Sequence, residues 1–287
     1  MNILVTGAAG YIGSHLCKLL TENQYNVTAW DIELHGETND ISNYTSNYSD
    51  TDVTTFTDKF KFDAVVHLAG RSSVPESMLI PYQYYNTNIE GTANCLKNIE
   101  TDHFIFAGTA ASWELASPYA LSKVAAEDII KQHATGYTIF RFFNVSGTNG
   151  IHKQLGDGMS LIKMVAKVAS GELSELEIFG NDYNTRDGTC IRDFIHVNDL
   201  ANAIINAIKK GPSNTDYECI GSKTGYSVLE VVDEMKKVSG QKIPIRHVGR
   251  RDGDVESSIV PEVSTLLNIK NTLSDMCIDQ YNLEKNS

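Results

Sequence analysis

The chain has 287 residues, of which 41% are hydrophobic and 21% are charged, and this composition is typical of one large globular domain or two coupled ones. Its formal net charge of -12 argues against a nucleic-acid partner, because binding to phosphate groups requires clustered Lys and Arg side chains. Its apolar runs fall short of the roughly 20 residues of a membrane span, and its five cysteines are scattered, so we expect a cytoplasmic chain with no membrane partner, disulfide framework or metal site.

Short β-rich runs alternate with helical patterns along the first half of the chain. The runs are 2–6, 27–31, 63–68, 103–107 and 137–143, and the helical patterns are 11–23, 78–99 and 118–134. Several of the runs are continuously apolar, as expected of strands that are buried on both faces of a sheet. The alternation predicts βαβ units and an α/β fold with a doubly wound, parallel, Rossmann-like sheet. The polar stretch 36–58 predicts a loop.

The second half of the chain is more mixed. Its helical patterns are 160–170, 198–210 and 227–238, and its short strands are 175–179, 217–220 and 243–247. This irregular order predicts a smaller mixed α/β domain in addition to the sheet. Residues 281–285, close to the C-terminus, are interpreted as a frayed tail without a function.

The stretch "NILVTGAAGYIGSH" places Gly7, Gly10 and Gly13 between the first predicted strand and the first predicted helix. Glycines at this spacing permit a tight turn and let backbone N–H groups approach a pyrophosphate at the helix N-terminus. Asp31 ends the second predicted strand, where an acidic residue can hold a ribose diol. No Arg stands near Asp31 to bind a 2′-phosphate, so the pattern favours NAD over NADP. A plain strand–turn–helix connection is the alternative, and Asp31 makes it the weaker interpretation.

The stretch "SPYALSK" begins the third predicted helix, with Ser117 as its N-cap and Pro118 in its first turn. Tyr119 and Lys123 then lie four residues apart on one helix face. The Lys123 ammonium stabilises a Tyr119 phenolate, which makes the tyrosine a usable base near neutral pH. Thr109 ends the preceding strand, where its hydroxyl can bond a reacting oxygen and relay its proton. The alternative for Thr109 is a residue that merely ends a strand.

These motifs resemble the extended short-chain dehydrogenase/reductase superfamily, which shares the glycine spacing, a Ser or Thr after the fifth strand, and the YxxxK pair. More specifically, the chain is similar to the UDP-glucose 4-epimerases and their close nucleotide-sugar relatives. The blocks that carry this similarity, in order, are "FDAVVHLAG", "YYNTNIEGTANCL", "RFFNVSG", "IFGNDYNTRDGTCIRDFIHVNDLA" and "GRRDGD". The resemblance implies a NAD-binding domain of residues 1–143 and 190–216 and a nucleotide-sugar-binding domain of residues 144–189 and 217–287.

The resemblance also implies roles for the matching residues, with Thr109, Tyr119 and Lys123 as the catalytic set. The residues implied for cofactor binding are Gly7, Gly10, Tyr11, Ile12, Gly13, Asp31, Asp52, Val53, Leu68, Ala69, Gly70, Asn88, Tyr119, Lys123 and Phe143. The residues implied for UDP-sugar binding are Thr109, Asn144, Ser160, Phe179, Arg192, Arg251, Asp254 and Ser258. Taken in isolation, Phe179 also suits a core position. Likewise, Arg192 suits a pair with Asp193, and Arg251 suits a pair with Asp252.

The chain departs from the family pattern around the catalytic loop and the cofactor. The connection between Thr109 and Tyr119 is far shorter than in typical epimerases, and Trp113 represents an aromatic residue usually seen shortly after the hydroxyl residue. The family's Lys after "HxAG" aligns near Ser72, with Arg71 beside it.

Further departures concern the predicted sugar site. The segment after Asn144 is shortened, and a family Asn that helps to hold the substrate is represented by Ser160, which also suits a helix cap. Ser258 stands where a bulky residue often covers the sugar. A small residue there leaves room for an N-acetyl group.

The activity that the resemblance implies is NAD-dependent 4-epimerisation of a UDP-hexose, either the glucose/galactose pair or the N-acetylated pair. The reaction proceeds by transient oxidation at C4, with Tyr119 as the base. An NAD(P)H-dependent 4-keto-sugar reductase uses the same residues and stays open, and a non-catalytic NAD-sensing protein is the weaker alternative. A 4,6-dehydratase is disfavoured, because Ala110 and Ala111 stand where its acid and base belong.

Family habit also implies a homodimer formed through two helices of each subunit. The corresponding helices here are the patterns at 78–99 and 118–134. The expected partners are therefore NAD, a UDP-sugar and a second copy of the chain.

Overall fold

The computed structural model describes residues 1–32, 38–155, 160–251 and 254–286. Its α-helices are α1 (Tyr11–Glu22), α2 (Val74–Leu79), α3 (Pro81–Tyr85), α4 (Gly91–Asn98), α5 (Pro118–His133), α6 (Leu161–Ser170), α7 (Val197–Lys210), α8 (Val228–Ser239) and α9 (Leu273–Asn286). Its strands are β1 (Asn2–Thr6), β2 (Asn26–Asp31), β3 (Asn47–Asp50), β4 (Phe60–Phe62), β5 (Ala64–His67), β6 (Ile99–Thr101), β7 (Phe104–Thr109), β8 (Tyr137–Phe142), β9 (Asn144–Ser146), β10 (Leu176–Phe179), β11 (Ile191–His196), β12 (Glu218–Ile220), β13 (Gly225–Ser227), β14 (Ile245–Val248) and β15 (Ser257–Ser258). Within the described ranges, no helix combines the length and the apolar character that crossing a membrane requires.

The chain divides into two compact units, each built from several segments. The first unit comprises Met1–Phe142, Gln154–Gly158 and Ala201–Glu218, and the second comprises Phe143–Lys153, Met159–Leu200 and Cys219–Ser287. The predicted NAD-binding segment 1–143 lies in the first unit except for its last residue. Residues 190–200, which were expected to belong with that segment, group with the second unit instead.

The main sheet has seven strands in the order β12-β8-β7-β5-β1-β2-β3. All neighbouring pairs from β8 to β3 are parallel. The strand order runs outward from β1 and β5 in opposite directions, and in such sheets ligands bind at the carboxyl ends of the strands where the order reverses. Strands β5 and β7 are buried along their whole length, as their continuous apolar runs predict. The predicted doubly wound, parallel α/β fold is confirmed.

The loop predicted over 36–58 is wrong in part. Asn47–Asp50 form β3, which pairs in parallel with β2 at the edge of the sheet. The side chains of this strand are mostly exposed and polar, so it carries none of the apolar pattern that marks the inner strands. Residues 36 and 37 of this stretch lie outside the described residues.

The single helix predicted over 78–99 is also wrong. Helix α2 begins earlier, at Val74, and ends at Leu79 with Ile80 as its C-cap, because Pro81 has no N–H to continue the helix and disfavours helical backbone in the residue before it. The chain then makes a π-helical turn over Asn86–Glu90 before α4 begins. π-helical turns are rare, and many of those known lie at functional sites. This turn therefore indicates a functional site near Asn86–Glu90.

The second unit is organised around α6, α8 and α9, which pack with β10 and β11. Its core includes Ile162, Phe194, Val232 and Met276. The frayed tail predicted over 281–285 is wrong, because these residues belong to α9 and Tyr281 is only 9% exposed in this core. Strand β11 pairs in parallel with β9 and β15 and antiparallel with β13.

Candidate active site

A tight turn joins β1 to α1 in the first unit. Gly7 has φ +68°, and a Cβ there would lie 2.7 Å from the backbone nitrogen of Ala69. A Cβ at Gly13 would lie 2.1 Å from the carbonyl oxygen of Gly7. Gly10 is the N-cap of α1 and supplies no side-chain cap. The turn therefore requires glycine at two positions, and it leaves the start of α1 suited to an anionic ligand.

Asp31 ends β2 beside this turn. Its Oδ2 accepts a hydrogen bond from the backbone N–H of Ala9 at 2.7 Å, and its Oδ1 accepts one from Ile32 at 2.7 Å. Burial raises the pKa of the Asp31 carboxyl, and these backbone hydrogen bonds oppose the rise. A carboxylate has about four acceptor sites. Asp31 can therefore accept these two backbone hydrogen bonds, which stabilise the turn, and still accept hydrogen bonds from ribose hydroxyls.

Four further residues of the predicted cofactor set lie in or beside these elements of the first unit. Tyr11 and Ile12 are the first residues of α1, and Asp52 and Val53 follow β3. Asp52 accepts hydrogen bonds from the backbone N–H and the hydroxyl of Thr54, both at 2.8 Å. Val53 is only 5% exposed and belongs to the core of the first unit. Their contacts with the cofactor stay predictions.

Asn88, in the π-helical turn, connects the loop after β5 to α5. Its amide nitrogen donates to the carbonyl oxygen of Arg71 at 3.1 Å and to the hydroxyl of Ser122 at 2.8 Å, and its Oδ1 accepts from the N–H of Arg71 at 2.9 Å. A Cβ at Gly70 would lie 2.8 Å from Oδ1 of Asn88 and 3.2 Å from Nζ of Lys123. The loop backbone thus lies close to Lys123 with no side chain between them.

Arg71 is a cofactor candidate that the predicted set does not include. Its neighbours Leu68 and Ala69 are held by Thr6, whose backbone and side-chain oxygens accept from their N–H groups at 3.1 and 3.2 Å. The Nε of Arg71 is buried without a hydrogen-bond partner among the described residues, and Nη1 lies 3.6 Å from Glu76. A buried donor without a partner suits an anionic ligand such as a dinucleotide phosphate.

Thr109, Tyr119 and Lys123 lie together in the first unit. Thr109 ends β7, and α5 carries Tyr119 and Lys123 one turn apart, with Ser117 as N-cap and Pro118 in the first turn as predicted. The three side chains are 8%, 9% and 4% exposed. The hydroxyl of Thr109 lies close enough to the phenol of Tyr119 to lower its pKa by hydrogen bonding to the phenolate. The structure therefore assembles the three predicted catalytic residues, whose roles stay a proposal.

The electrostatics of this group work against an unaided phenolate. Burial raises the pKa of Tyr119, whereas the hydrogen bond from Thr109 lowers it. Burial also lowers the pKa of Lys123 to about 8, and its Nζ lies 4.8 Å from the centre of the Phe106 ring. The positive charge of Lys123 and the Thr109 hydroxyl are thus the features of the chain that favour deprotonation of Tyr119.

The short connection between Thr109 and Tyr119 starts with a 3-10 turn over Ala110–Trp113. The side-chain oxygen of Thr109 accepts a hydrogen bond from the N–H of Ala111 at 3.2 Å, which caps this turn. Alanines occupy the two positions after Thr109, so the turn offers no acid or base for a dehydration.

Arg192, Asp254 and Ser258 lie together in the second unit. Nη2 of Arg192 is 3.5 Å from Oδ1 of Asp254, and Nη1 donates to the carbonyl oxygen of Val255 at 2.8 Å. The parallel pairing of β11 with β15 places Ser258 opposite Arg192. Arg192 therefore lies beside two predicted substrate residues, Asp254 and Ser258, which are more than 60 positions away in the sequence.

The pairing of Arg192 with Asp193, which the sequence suggests when the two residues are taken in isolation, is wrong. Asp193 is fully buried, and its carboxylate accepts hydrogen bonds from the N–H groups of Ser222, Lys223 and Val260 at 2.7, 2.9 and 3.1 Å. Because neighbouring residues of a strand point to opposite faces, the two side chains diverge. Asp193 instead fixes two loops beside β11.

Phe179 and Arg251 form a stacked pair in the second unit. Phe179 ends β10 and is half-buried, and the guanidinium carbon of Arg251 lies 3.5 Å from the centre of its ring. Phe179 is therefore a surface aromatic residue and not the core residue of the alternative interpretation. The alternative pairing of Arg251 with Asp252 lies outside the described residues.

The remaining predicted residues are held by the backbone around β9 and α6. Asn144 donates from its side-chain amide to the carbonyl oxygen of Asp193 at 3.0 Å, and Phe143 is 7% exposed. Ser160 is the N-cap of α6 and accepts from the N–H of Lys163 at 3.4 Å, so it serves as the helix cap that its position suggested. Its predicted contact with the substrate stays a prediction.

Metal binding finds no support in the part of the chain that the structure describes. There, no three His, Cys, Asp or Glu side chains are grouped so that they could hold a metal ion. All five cysteines are buried and have free thiols.

The comparisons with known proteins agree with this arrangement. The NAD dependent epimerase/dehydratase family matches residues 3–219. The chain is 32% identical over 327 aligned positions to the UDP-glucose 4-epimerase of Bacillus subtilis (strain 168), covering 98% of this chain and 96% of that protein. The crystal structure of UDP-glucose 4-epimerase from Bifidobacterium longum in complex with NAD+ and UDP has a TM-score of 0.88 at 28% identity, over 100% of this chain and 98% of that one. The UDP-Glc/GlcNAc 4-epimerase from Campylobacter jejuni has a TM-score of 0.79 at 30% identity, over 100% and 99% of the two chains.

The chain therefore belongs to the NAD dependent epimerase/dehydratase family, and NAD is its cofactor. It is an NAD-dependent enzyme that resembles the UDP-glucose 4-epimerases. The alignment with the Bacillus subtilis protein has more positions than this chain has residues, so that relative carries segments that are missing here. The glycine turn, Asp31 and the unpaired donor of Arg71 are features of the first unit that fit a dinucleotide.

Proposed function

We propose that the protein interconverts the C4 epimers of a UDP-hexose by transient oxidation at C4. The buried group of Thr109, Tyr119 and Lys123 carries this proposal, because it places a phenol, an ammonium and a hydroxyl together at the end of a parallel strand. The similarity to UDP-glucose 4-epimerases over nearly the whole chain supports it.

The reaction begins with Tyr119, which accepts the proton of the sugar 4-hydroxyl. Lys123 and the Thr109 hydroxyl stabilise the phenolate that takes part in this transfer. The hydride acceptor and donor for C4 would be supplied by bound NAD. After the sugar ring has turned, the ketone presents its other face, and Tyr119 gives its proton back to the oxygen. Protons and hydride balance over the cycle, so no external reductant is consumed.

The second unit supplies the groups that we assign to the nucleotide. Arg192 and Arg251 are suited to the diphosphate, because guanidinium groups bind phosphate oxygens with paired donors. Phe179 offers an aromatic face for the base, and Asp254 can accept ribose hydroxyls. The complex of the Bifidobacterium longum relative with UDP supports a nucleotide ligand of this kind. Anchoring through UDP leaves the sugar ring free to turn.

We further propose that the N-acetylated pair of sugars is accepted together with the glucose and galactose pair. Ser258 is small and lies opposite Arg192, and a small residue at this position suits a sugar with an acetamido group. The Campylobacter jejuni relative, whose name includes both Glc and GlcNAc, supports this assignment.

The test uses purified protein with no added cofactor, incubated separately with UDP-galactose and UDP-N-acetylgalactosamine, with chromatographic identification of the sugars. We expect the gluco epimer in each tube, and none with Tyr119→Phe. If neither sugar is converted but a UDP-4-keto-hexose is reduced with consumption of one external NADH per sugar, the assignment would move to a 4-keto-sugar reductase. Absence of conversion after NAD is added would overturn the epimerase assignment for these sugars.

We also propose a homodimer formed through α2, α3 and α5. On α2 and α3 in the first unit, Met78, Leu79 and Tyr82 are 61%, 82% and 83% exposed, and Leu121 of α5 is 44% exposed. Exposed apolar side chains on neighbouring helices are typical of an interface with another protein. Light scattering measures the molar mass in solution and so tests this homodimer. We expect the wild type to be a dimer and Leu79→Glu to be a monomer. A monomeric wild type would overturn it.

A further inference from the structure

Glu127 continues the face of α5 that carries Tyr119 and Lys123. The three residues follow one another at intervals of four along the helix, and Glu127 is 1% exposed. Its carboxylate binds Arg141 of β8 through both oxygens, with Oε2 2.6 Å from Nη2 and Oε1 3.2 Å from Nε. Arg141 is itself 7% exposed. A buried, bidentate ion pair thus lies one helical turn beyond Lys123.

The same ion pair contacts the strand that ends at Thr109. In the sheet, Arg141 is the register partner of Gly108, which precedes Thr109. A Cβ at Gly108 would lie 2.7 Å from Oε1 of Glu127 and 3.5 Å from Cγ of Arg141. Because Gly108 has no side chain, the ion pair lies directly against the end of β7.

Arg141 also contacts the shortened turn after Thr109. Its guanidinium carbon lies 5.4 Å from the centre of the Trp113 ring and 4.1 Å from the centre of the Tyr217 ring. The two rings meet edge to face, with 5.8 Å between their centres. Trp113 ends the 3-10 turn that follows Thr109, so these ring contacts connect the ion pair to the turn between the two predicted catalytic elements.

We propose that Arg141 is a positioning residue for the epimerisation. It binds α5 through Glu127, the end of β7 through its register with Gly108, and the turn through Trp113. By these contacts it fixes the Thr109 hydroxyl relative to the Tyr119 phenol, and it neutralises the carboxylate that lies beside Lys123. The inference deepens the proposed function and rests on it.

The electrostatic part of this role follows from the charges around Tyr119. Glu127 raises the pKa of Tyr119 and of Lys123, because a negative charge disfavours the phenolate and favours the ammonium. Arg141 offsets that charge. Without Arg141, the phenolate would form at a higher pH, and the acid limb of the kcat profile would move to higher pH.

The other ionisable groups near Tyr119 come from the elements that pack on α5. Tyr84 of α3 has its ring centre 6.2 Å from that of Tyr119, and its hydroxyl donates to Glu76 of α2 at 2.6 Å. This hydrogen bond and burial raise the pKa of Tyr84, so it stays neutral. His67 of β5 lies near Lys123 and is neutral as well, because burial lowers its pKa to about 3.

The first test compares the kcat, the KM and the pH profile of four variants with those of the wild type. In Arg141→Met we expect kcat to fall by roughly 10²-fold, with little change in KM, and the acid limb to move to higher pH. In the double variant Arg141→Met with Glu127→Gln, we expect the acid limb of the kcat profile to return to its wild-type pH, while kcat stays low. In Trp113→Leu, we expect a lower kcat and an acid limb at the same pH as in the wild type. The matched control is Arg246→Met, which removes an exposed arginine paired with Glu175 and should change nothing.

The second test needs no turnover. Trp30 is 3% exposed and Trp113 is 41% exposed, so acrylamide quenching of tryptophan fluorescence reports mainly on Trp113. We expect Arg141→Met to increase the quenching constant and Arg246→Met to leave it unchanged. If the wild type fails to epimerise either sugar, the proposed function has failed, and the quenching experiment still decides whether Arg141 holds the turn.

Two results would overturn the inference. One is a folded Arg141→Met protein with wild-type kcat, pH profile and quenching. The other applies if that variant does not fold. The double variant Trp113→Leu with Tyr217→Leu then removes both rings and keeps the buried ion pair. A wild-type kcat in this double variant would show that the contacts between Arg141 and the rings do not position the catalytic residues.

Discussion

The hydroxyl of Thr109 lies beside the phenol of Tyr119 and lowers its pKa by hydrogen bonding to the phenolate, and both side chains are buried. The oxygen of Thr109 accepts from the N–H of Ala111 at 3.2 Å, which leaves its own hydrogen free to point at Tyr119. A hydrogen bond to a charged group contributes about 1.5–3 kcal/mol. We therefore predict that Thr109→Val lowers kcat by roughly ten- to a hundredfold.

The pH profile gives this prediction a second readout. The hydrogen bond lowers the pKa of Tyr119, so its removal should move the acid limb of kcat to higher pH. Thr109→Ser keeps the hydroxyl and should keep both the limb and most of the rate. A Thr109→Val protein with the wild-type rate and profile would mean that the hydrogen bond has no part in the reaction.

The sequence predicts best the features that depend on neighbouring residues. The glycine turn, the Ser117 cap and the spacing of Tyr119 and Lys123 are all determined within one or two helical turns, and the structure has them where the pattern placed them. The inner strands are equally clear, because burial on both faces requires continuous apolar runs.

The features that the sequence hid depend on distant parts of the chain. Strand β3 is polar because it lies at the edge, and only its pairing with β2 reveals it. Arg192 stands beside Asp193 in the sequence, yet it pairs with Asp254, because strand geometry separates neighbours and brings β15 alongside. Asn88 could be named from the family pattern, but its hydrogen bonds to Arg71 and Ser122 require the fold.

Asn88 leads to the second prediction. Its side chain makes three hydrogen bonds that hold the loop after β5 to α5, and it is 1% exposed. Asn88→Ala leaves buried partners unsatisfied, so we expect the free energy of unfolding to fall by about 1–3 kcal/mol. Because the released loop carries Gly70 and Arg71, we also expect the purified protein to retain less NAD.

Urea unfolding and the NAD content of purified protein measure these two effects. Asn271→Ala is the matched control, since the Asn271 amide donates to Asp199 in the second unit at 2.8 Å. It should lose stability and keep its NAD. Equal NAD content in the two variants would contradict a role of Asn88 in shaping the cofactor loop.

The third prediction concerns His67 and acid stability. Nδ1 of His67 lies 2.7 Å from the hydroxyl of Thr6, and Nε2 lies 3.1 Å from the hydroxyl of Thr92. Thr92 already donates its hydrogen to the carbonyl oxygen of Asn88, and the Thr6 oxygen accepts from Ala69. The neutral ring with its hydrogen on Nε2 therefore satisfies every partner.

Burial lowers the pKa of His67 to about 3, below the ordinary value of about 6.5. Between these values the unfolded chain binds more protons than the folded one, so stability falls as the pH drops from 6.5 toward 3. The loss from His67 alone is on the order of 5 kcal/mol at full protonation. We expect His67→Gln to be less stable at neutral pH and to lose stability less steeply in acid. Urea unfolding at pH 7, 6 and 5 measures the slopes, and parallel slopes would contradict the argument.

The fourth prediction concerns the choice of sugar. Ser258 lies opposite Arg192 in the pairing of β11 with β15, and Arg192 in turn pairs with Asp254, so a larger side chain at Ser258 lies beside the residues that we assign to the UDP-sugar. Ser258→Tyr should exclude an acetamido substituent by its bulk and leave the smaller hydroxyl sugars. We expect kcat/KM for UDP-N-acetylgalactosamine to fall at least about tenfold relative to that for UDP-galactose.

The comparison of the two substrates in one protein corrects for any general loss of activity. Ser257→Tyr is the matched control, because Ser257 is the neighbour in β15 and its side chain points to the opposite face. An equal fall for both sugars in Ser258→Tyr would mean that the residue does not face the hexose. If the ratio of kcat/KM for the two sugars changes equally in Ser258→Tyr and Ser257→Tyr, the change is caused by a general disturbance of β15. The acceptance of N-acetylated sugars would then depend on other residues of the second unit.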